Sequence, residues 1–140
     1  MKKEISLQLD EAGSLIIYDD GSSNIISAKP AAWLNEKCLD NGSSLRGRTD
    51  AFCELLKVRQ KPAALISEVS GEIWFPTLSP KQNDCVWIRY DEILDVKAIA
   101  PQSCEIIFFN GFRMKTDVDA RVIRLQMKRC RTFLELLHHE

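Results

Sequence analysis

Residues 104–119 read CEIIFFNGFRMKTDVD. Two largely apolar runs, residues 104–109 and 112–115, flank Asn110-Gly111. This dipeptide is the strongest short hairpin signal, because a type I′ turn needs positive φ at both central residues. Thr116 then reads as the N-cap of a helix with Asp117 and Asp119 in its first turn, where the helix dipole favours acids. Ile123, Met127, Cys130, Leu134 and Leu137 follow at intervals of four, three, four and three, which predicts a buried stripe on a helix from about Asp117 to Leu137. A hairpin running into an amphipathic helix points to an α+β fold.

Upstream, residues 63–66 and 72–75 form a second expected hairpin about residues 68–71, ended by Pro76, which cannot donate to a ladder. Residues 85–90 and 93–100 are two more strands, so the antiparallel sheet is expected mainly over residues 63–115. Pro30–Leu39 (PAAWLNEKCL) reads as a short helix with proline in its first turn. Phe52, Leu55 and Leu56 mark a second short helix, with Thr49 as its cap. Residues 14–18 (SLIIY) and 24–28 (NIISA) make a first hairpin. The expected architecture is a sheet of hairpins, two short helices and a C-terminal amphipathic helix in one domain spanning residues 1–140, without internal repeat.

The chain has 140 residues, 45% hydrophobic and 28% charged, enough to bury a core. No apolar run approaches the ~20 residues that span a bilayer. The start, Met1-Lys2-Lys3-Glu4, turns polar before a signal segment develops, so the expectation is a cytoplasmic protein without a membrane partner. Five cysteines (Cys38, Cys53, Cys85, Cys104, Cys130) are odd in number and lack a CxxC pair, which predicts reduced thiols and neither a disulfide framework nor a zinc site.

Catalytic constellations are missing from the sequence. The only histidines are His138 and His139, at a terminus where a general base would be poorly held. Residues 42–48 lack the Lys-Ser/Thr end of a phosphate loop. Asp91, Glu92 and Asp95 read as a solvated turn, and Trp33, Trp74 and Trp87 as core. The expectation is a non-enzyme without metal or cofactor.

Charge is distributed unevenly. The net charge is −1, yet residues 1–20 hold two bases against five acids, while residues 112–132 hold seven bases against two acids. Arg121, Arg124, Lys128 and Arg131 fall in one sector of the last helix, opposite the apolar stripe, and Arg113 and Lys115 precede them. Such a ridge offers a positive field to a polyanion. Residues 42–48, GSSLRGR, add the hydroxyls of Ser43 and Ser44 and two arginines, Arg46 and Arg48, around a glycine that allows close approach to a nucleic-acid backbone or minor groove.

From this loop onward the sequence resembles the bacterial competence transcription factor family, ComK. The resemblance rests on Gly42-Ser43-Ser44 with Gly47-Arg48, on Phe75-Pro76-Thr77-Leu78-Ser79, on Cys85-Val86-Trp87-Ile88 and on Asn110-Gly111, and it covers roughly residues 28–137. It implies a DNA-binding transcriptional activator that recognises AT-rich boxes of double-stranded DNA largely through the minor groove. It also implies a homo-oligomer on promoters of DNA-uptake genes, with RNA polymerase as a further partner. The chain stops soon after the basic helix, where the family continues into a tail that carries a degradation-adaptor segment. The expectation is therefore a relative shortened at the C-terminus, with a Clp adaptor interaction doubtful. The alternative expectation is a short relative that titrates or joins a partner without operator binding.

Overall fold

The hairpin at Asn110-Gly111 forms, with a different turn from the one the dipeptide suggests. In the computed structural model, which describes residues 1–138, Gly111 takes φ 95° while Asn110 is not in the positive region. The Gly111 amide donates to the Phe108 carbonyl and the Phe108 amide to the Phe112 carbonyl, both at 2.9 Å. The Phe112 amide donates to the Asn110 side-chain oxygen at 3.0 Å. This is a three-residue loop closed by a glycine bulge; the Asn110 side chain supplies locally the acceptor that makes two positive φ values unnecessary.

Among the described residues there are nine strands and three α-helices. β1 (Glu4–Asp10), β2 (Gly13–Tyr18) and β3 (Ser23–Ile26) precede α1 (Pro30–Leu39) and α2 (Leu45–Leu56). β4 (Ala64–Ser67), β5 (Glu72–Pro76) and β6 (Val86–Arg89) come next. β7 (Ile93–Ala100), β8 (Ser103–Phe108), β9 (Arg113–Thr116) and α3 (Ala120–His138) complete the α+β fold. The expected single sheet over residues 63–115 is divided in two. One antiparallel sheet has the order β3-β2-β1-β6-β5-β4, and the other β7-β8-β9.

β1 has no counterpart in the sequence reading, for a physical reason. It lies mid-sheet between β2 and β6, and Ile5, Ser6 and Leu7 are all buried. A bulge between Glu4 and Ser6 sends Ile5 and Leu7 into different cores, so the alternation that marks a half-buried strand is lost. On one face of the larger sheet Leu34 and Cys38 of α1 pack with Leu7, Ile16, Trp74 and Trp87. On the other, Ile5, Phe75 and Ile88 meet Val96, Ile106 and Phe108 of the second sheet and Ile123, Cys130 and Phe133 of α3.

Two caps differ from expectation. Ser44, not Thr49, caps α2: its hydroxyl accepts from the Gly47 amide at 2.9 Å. A Cβ on Gly47 would lie 3.0 and 3.2 Å from the Ser43 and Ser44 hydroxyls, so the glycine leaves room for this cap. Thr116 is claimed by β9 through its pairing with Cys104, and α3 starts later, with the Asp119 carboxylate accepting from the Arg121 amide at 2.8 Å. The α3 stripe also shifts: Gln126 and Phe133 are buried, while Met127, Leu134 and Leu137 are partly so. All five cysteines are free thiols, four buried and Cys53 half-buried, and burial pushes the thiol pKa up at each.

The expectation of no internal repeat is overturned. Gly13 and Ser103 open equivalent strands, Tyr18 and Phe108 end them, Ser23 and Arg113 start the next, and Pro30 and Ala120 begin the helices, each pair ninety residues apart. The turns agree as well. The Gly21 amide donates to the Tyr18 carbonyl and the Tyr18 amide to the Ser22 carbonyl, with Gly21 at φ 86°. Between residues 4–38 and their counterparts, identities are confined to Ile16/Ile106, Ile17/Ile107 and Gly21/Gly111. The two turns touch: the Asn110 amide donates to the Asp19 carbonyl at 2.8 Å.

Candidate nucleic-acid interface

The exposed face of α3 carries Arg121, Arg124, Lys128 and Arg131, all open to solvent. Arg124, Lys128 and Arg131 border one shallow cleft of about 220 Å³ together with Tyr90 and Met127. The cations are not equally available. Arg121 forms a forked pair with Asp119, whose closest contact is 2.7 Å; the hydrogen bond and charge hold the Asp119 carboxyl below its usual range and raise the guanidinium. Arg124 donates to the Val96 carbonyl at 3.0 Å. Arg131 lies 4.0 Å from Glu135 with both side chains mostly exposed, a weak contact in water. Among the described residues Lys128 makes no such pair.

Arg113 on β9 donates to Glu105 at 2.9 Å. Lys115 borders a groove of about 640 Å³ shared with Asp84, Asp117 and Asp119, so carboxylates surround its approach. Arg129, to the side of the ridge, serves the fold. It donates to the Gln126 side chain and to the Gln60 carbonyl, and Gln126 donates to the Lys61 and Pro76 carbonyls. Burial lowers the Arg129 pKa.

The segment expected as a loop over residues 42–48 is helical from Leu45 onward, because Ser44 caps α2, so Arg46 and Arg48 stand in the first turn of that helix. Arg46 is 92% exposed, with only a 3.8 Å contact to Asp50. Arg48 is folded back: its side chain is 18% exposed and reaches Glu68 at 3.3 Å and the Asn41 carbonyl at 3.4 Å. Its Nε is buried without a partner. Ser44 is occupied by its cap, whereas the Ser43 hydroxyl has only a 3.5 Å contact with the Ser44 carbonyl.

The structure does not join loop and ridge into one patch. Gln60 and Lys61 meet Arg129 and Gln126, while Phe52 meets Phe133 at 5.0 Å between ring centres. These contacts to α3 come from Phe52 and from residues 60–61 beyond α2, and among the described residues no hydrogen bond or ion pair links Arg46 or Arg48 to the α3 ridge. The gating contacts at Glu68, Asp119 and Val96 were missed by the sequence reading; only Asp119, two residues before Arg121, left a local signal. The FPTLS and C-x-W-I residues, by contrast, build the β5–β6 connection. The Thr77 amide donates to the Val86 carbonyl, the Val86 amide to the Thr77 hydroxyl, and the Cys85 thiol to the Leu78 carbonyl. Trp87 and Phe75 are core, and Trp33 stacks edge-on against Trp74 at 5.6 Å.

No helix of the described residues is long and apolar enough to cross a membrane. His139 lies outside the described residues. The family described as ComK protein matches residues 5–140 of the chain. The chain is similar to the competence transcription factor of Bacillus subtilis (strain 168), at 28% identity over 104 residues that cover 74% of this chain and 54% of that protein. It spans about half the length of the curated relative it matches. No solved structure matches.

Proposed function

This chain belongs to the ComK protein family, and we propose that it is a DNA-binding transcriptional regulator of competence genes that acts without enzymatic chemistry, as a homo-oligomer on AT-rich promoter boxes. The observation that carries the reading is the exposed cationic face of α3 in a chain whose net charge is −1. Extended cations without Asn or Gln beside them suit phosphate docking better than base reading. Lys128 and Arg131 are the ready phosphate contacts; Arg124, Arg121, Arg113 and Lys115 contribute once they leave their in-chain partners or acidic neighbours.

Reading of AT-rich sequence falls to the first turn of α2, because a narrow A·T minor groove has enhanced negative potential that attracts arginine. Arg46 is extended for this role, with Ser43 as a phosphate donor. Arg48 enters only by releasing Glu68, so this end of α2 is partly masked in the free protein. The expected partners beyond DNA are a second copy and RNA polymerase.

The test is competition between AT-rich and GC-rich duplexes in gel shifts. Arg46→Ala and Arg48→Ala are expected to narrow the AT preference by about 1–3 kcal/mol while folding is retained, and Glu68→Gln to strengthen binding by freeing Arg48. Equal losses on both duplexes would remove the minor-groove assignment. A second reading, a regulator that titrates a protein partner, is favoured by the in-chain engagement of Arg113, Arg121 and Arg124. It takes the lead if neither duplex binds at low salt.

A further inference from the structure

The repeat exposes a difference at one strand edge. In the first unit, the outer edge of β1 is occupied by β6, with Ser6 opposite Ile88 and Leu7 opposite Trp87. In the second, the corresponding strand is β7, which ends its sheet. Val96 stands ninety residues after Ser6, at the position where β6 would begin to pair. Its amide donates instead to the Asp95 carboxylate at 2.8 Å, and its carbonyl accepts from Arg124 at 3.0 Å. Two side chains thus stand in for the missing strand. The strand is eight residues long and carries exposed Leu94 and Ile99, at 55% and 52%, but its register with β8 shifts between Ile93 and Asp95 and between Ala98 and Ala100, so the regular edge is the stretch from Asp95 to Ala98. Such an edge is a template for another strand unless it is blunted.

The sequence of the edge fits itself. An antiparallel pairing of two β7 strands centred on Val96 places Asp95 of each copy opposite Lys97 of the other, both inside the regular stretch between the two register shifts. Opposite charges directly across a ladder stabilise it, and like charges there oppose it. The arrangement is isologous, as a twofold dimer requires. We propose that β7 is a self-pairing edge on which a second copy of this chain docks through its own β7, and that Arg124 and Asp95 cover Val96 while the chain is alone. Because Arg124 is also one of the α3 ridge cations, any group that draws it off the Val96 carbonyl also opens the edge. The proposal supplies a surface for the oligomer of the preceding section and rests on that reading. Its test contains no DNA, so failure of one is distinguishable from failure of the other.

The experiment is sedimentation velocity of the full chain across a concentration series, with circular dichroism and thermal melting to verify that each variant is folded. Wild type is expected to dimerise. Asp95→Lys and Lys97→Asp each turn two attractive cross-strand pairs into two repulsive ones and should each raise the dimer Kd about tenfold. The double exchange D95K/K97D recreates both pairs with reversed sign and should return the Kd to within about twofold of wild type. Arg124→Ala uncovers the Val96 carbonyl and should tighten the dimer about threefold, the scale of a modest exposed contact. The proposal is overturned if the wild type stays monomeric at every concentration, if neither single reversal changes the Kd, or if the double exchange is as weak as the singles. It is also overturned if Arg124→Ala leaves association unchanged.

Discussion

The first hairpin-helix unit, β1 to α1, and the second, β7 to α3, share the lengths of their second and third strands, their turn geometry and their helix entry, yet they differ in edge pairing and in charge. The first is acidic along its opening twenty residues and locked into the middle of a six-stranded sheet by β6. The second is basic, keeps a three-stranded sheet of its own and leaves both a helix face and a strand edge open. One supersecondary unit can thus be built into a larger sheet or left with an open edge and a charged helix face, depending on what fills its outer edge and on the charge of its solvent face. The backbone path is held in common with three identities; edge pairing and surface charge differ through the rest.

The strongest way to break the comparison is at its shared core. Ile16 and Ile106 occupy equivalent positions, 2% and 0% exposed, and each faces a different cluster. Ile16→Ala and Ile106→Ala should each cost about 2–5 kcal/mol in urea unfolding. A neutral result at either would mean that the two units are not comparably packed.

The glycines sharpen it. Gly13 has φ 147°, and a Cβ there would meet the Ile26 carbonyl oxygen at 2.3 Å, whereas its counterpart is Ser103. Gly13→Ala should cost about 1–3 kcal/mol, and Ser103→Ala within about 0.5 kcal/mol. At the turns, Gly111→Ala meets open space and should cost about 1–2 kcal/mol for the left-handed backbone alone. Gly21→Ala should cost more, because its Cβ would press on the Phe112 ring at 3.2 Å. Melting of the four variants ranks them.

The smallest expected effect is in pH dependence. Lys37 of α1 and Arg89 of β6 surround Glu72, an ion-pair cluster whose counterpart of Lys37 in the second unit is Met127. Burial alone would raise the Glu72 carboxyl, but hydrogen bonds from Lys37 and Trp74 and the charges of Lys37 and Arg89 outweigh it and hold the group below 4.5. With a folded pKa below the unfolded one, its contribution is present above pH 4.5 and is lost as pH falls through the folded value. Nearby Asp91 acts oppositely, since burial raises its carboxyl. Glu72→Gln should therefore flatten the acid side of the stability profile, measured by urea unfolding from pH 3 to pH 7 (about the range of carboxylate titration). An unchanged acid limb would show that the cluster adds nothing.

The parts of the fold legible in the sequence were those with local signals. α1 was bounded by Pro30 and Leu39, and the final strands and α3 followed from alternation, a turn dipeptide and helical spacing. β1 was hidden because a bulge and burial on both faces removed its alternation. The repeat was hidden because a shared backbone path is compatible with almost any side chains away from Ile16, Ile17 and Gly21. The candidate site was legible as composition only. Spacing placed Arg121, Arg124, Lys128 and Arg131 on one exposed face, but no spacing relates Arg48 to Glu68 or Arg124 to Val96 across tertiary space. The GSSLRGR loop also read as an open arginine pair, whereas the fold extends Arg46 and tucks Arg48 away.

The central claim is that the open face of the second unit docks on DNA phosphates, and fluorescence anisotropy of an AT-rich duplex across a salt series tests it most directly. Lys128→Ala/Arg131→Ala removes the two ridge cations least engaged within the chain. The account predicts binding by the wild type that weakens linearly in log salt, and a slope reduced in magnitude by about two in the double variant. An unchanged slope, or no binding by the wild type at the lowest salt, would contradict it.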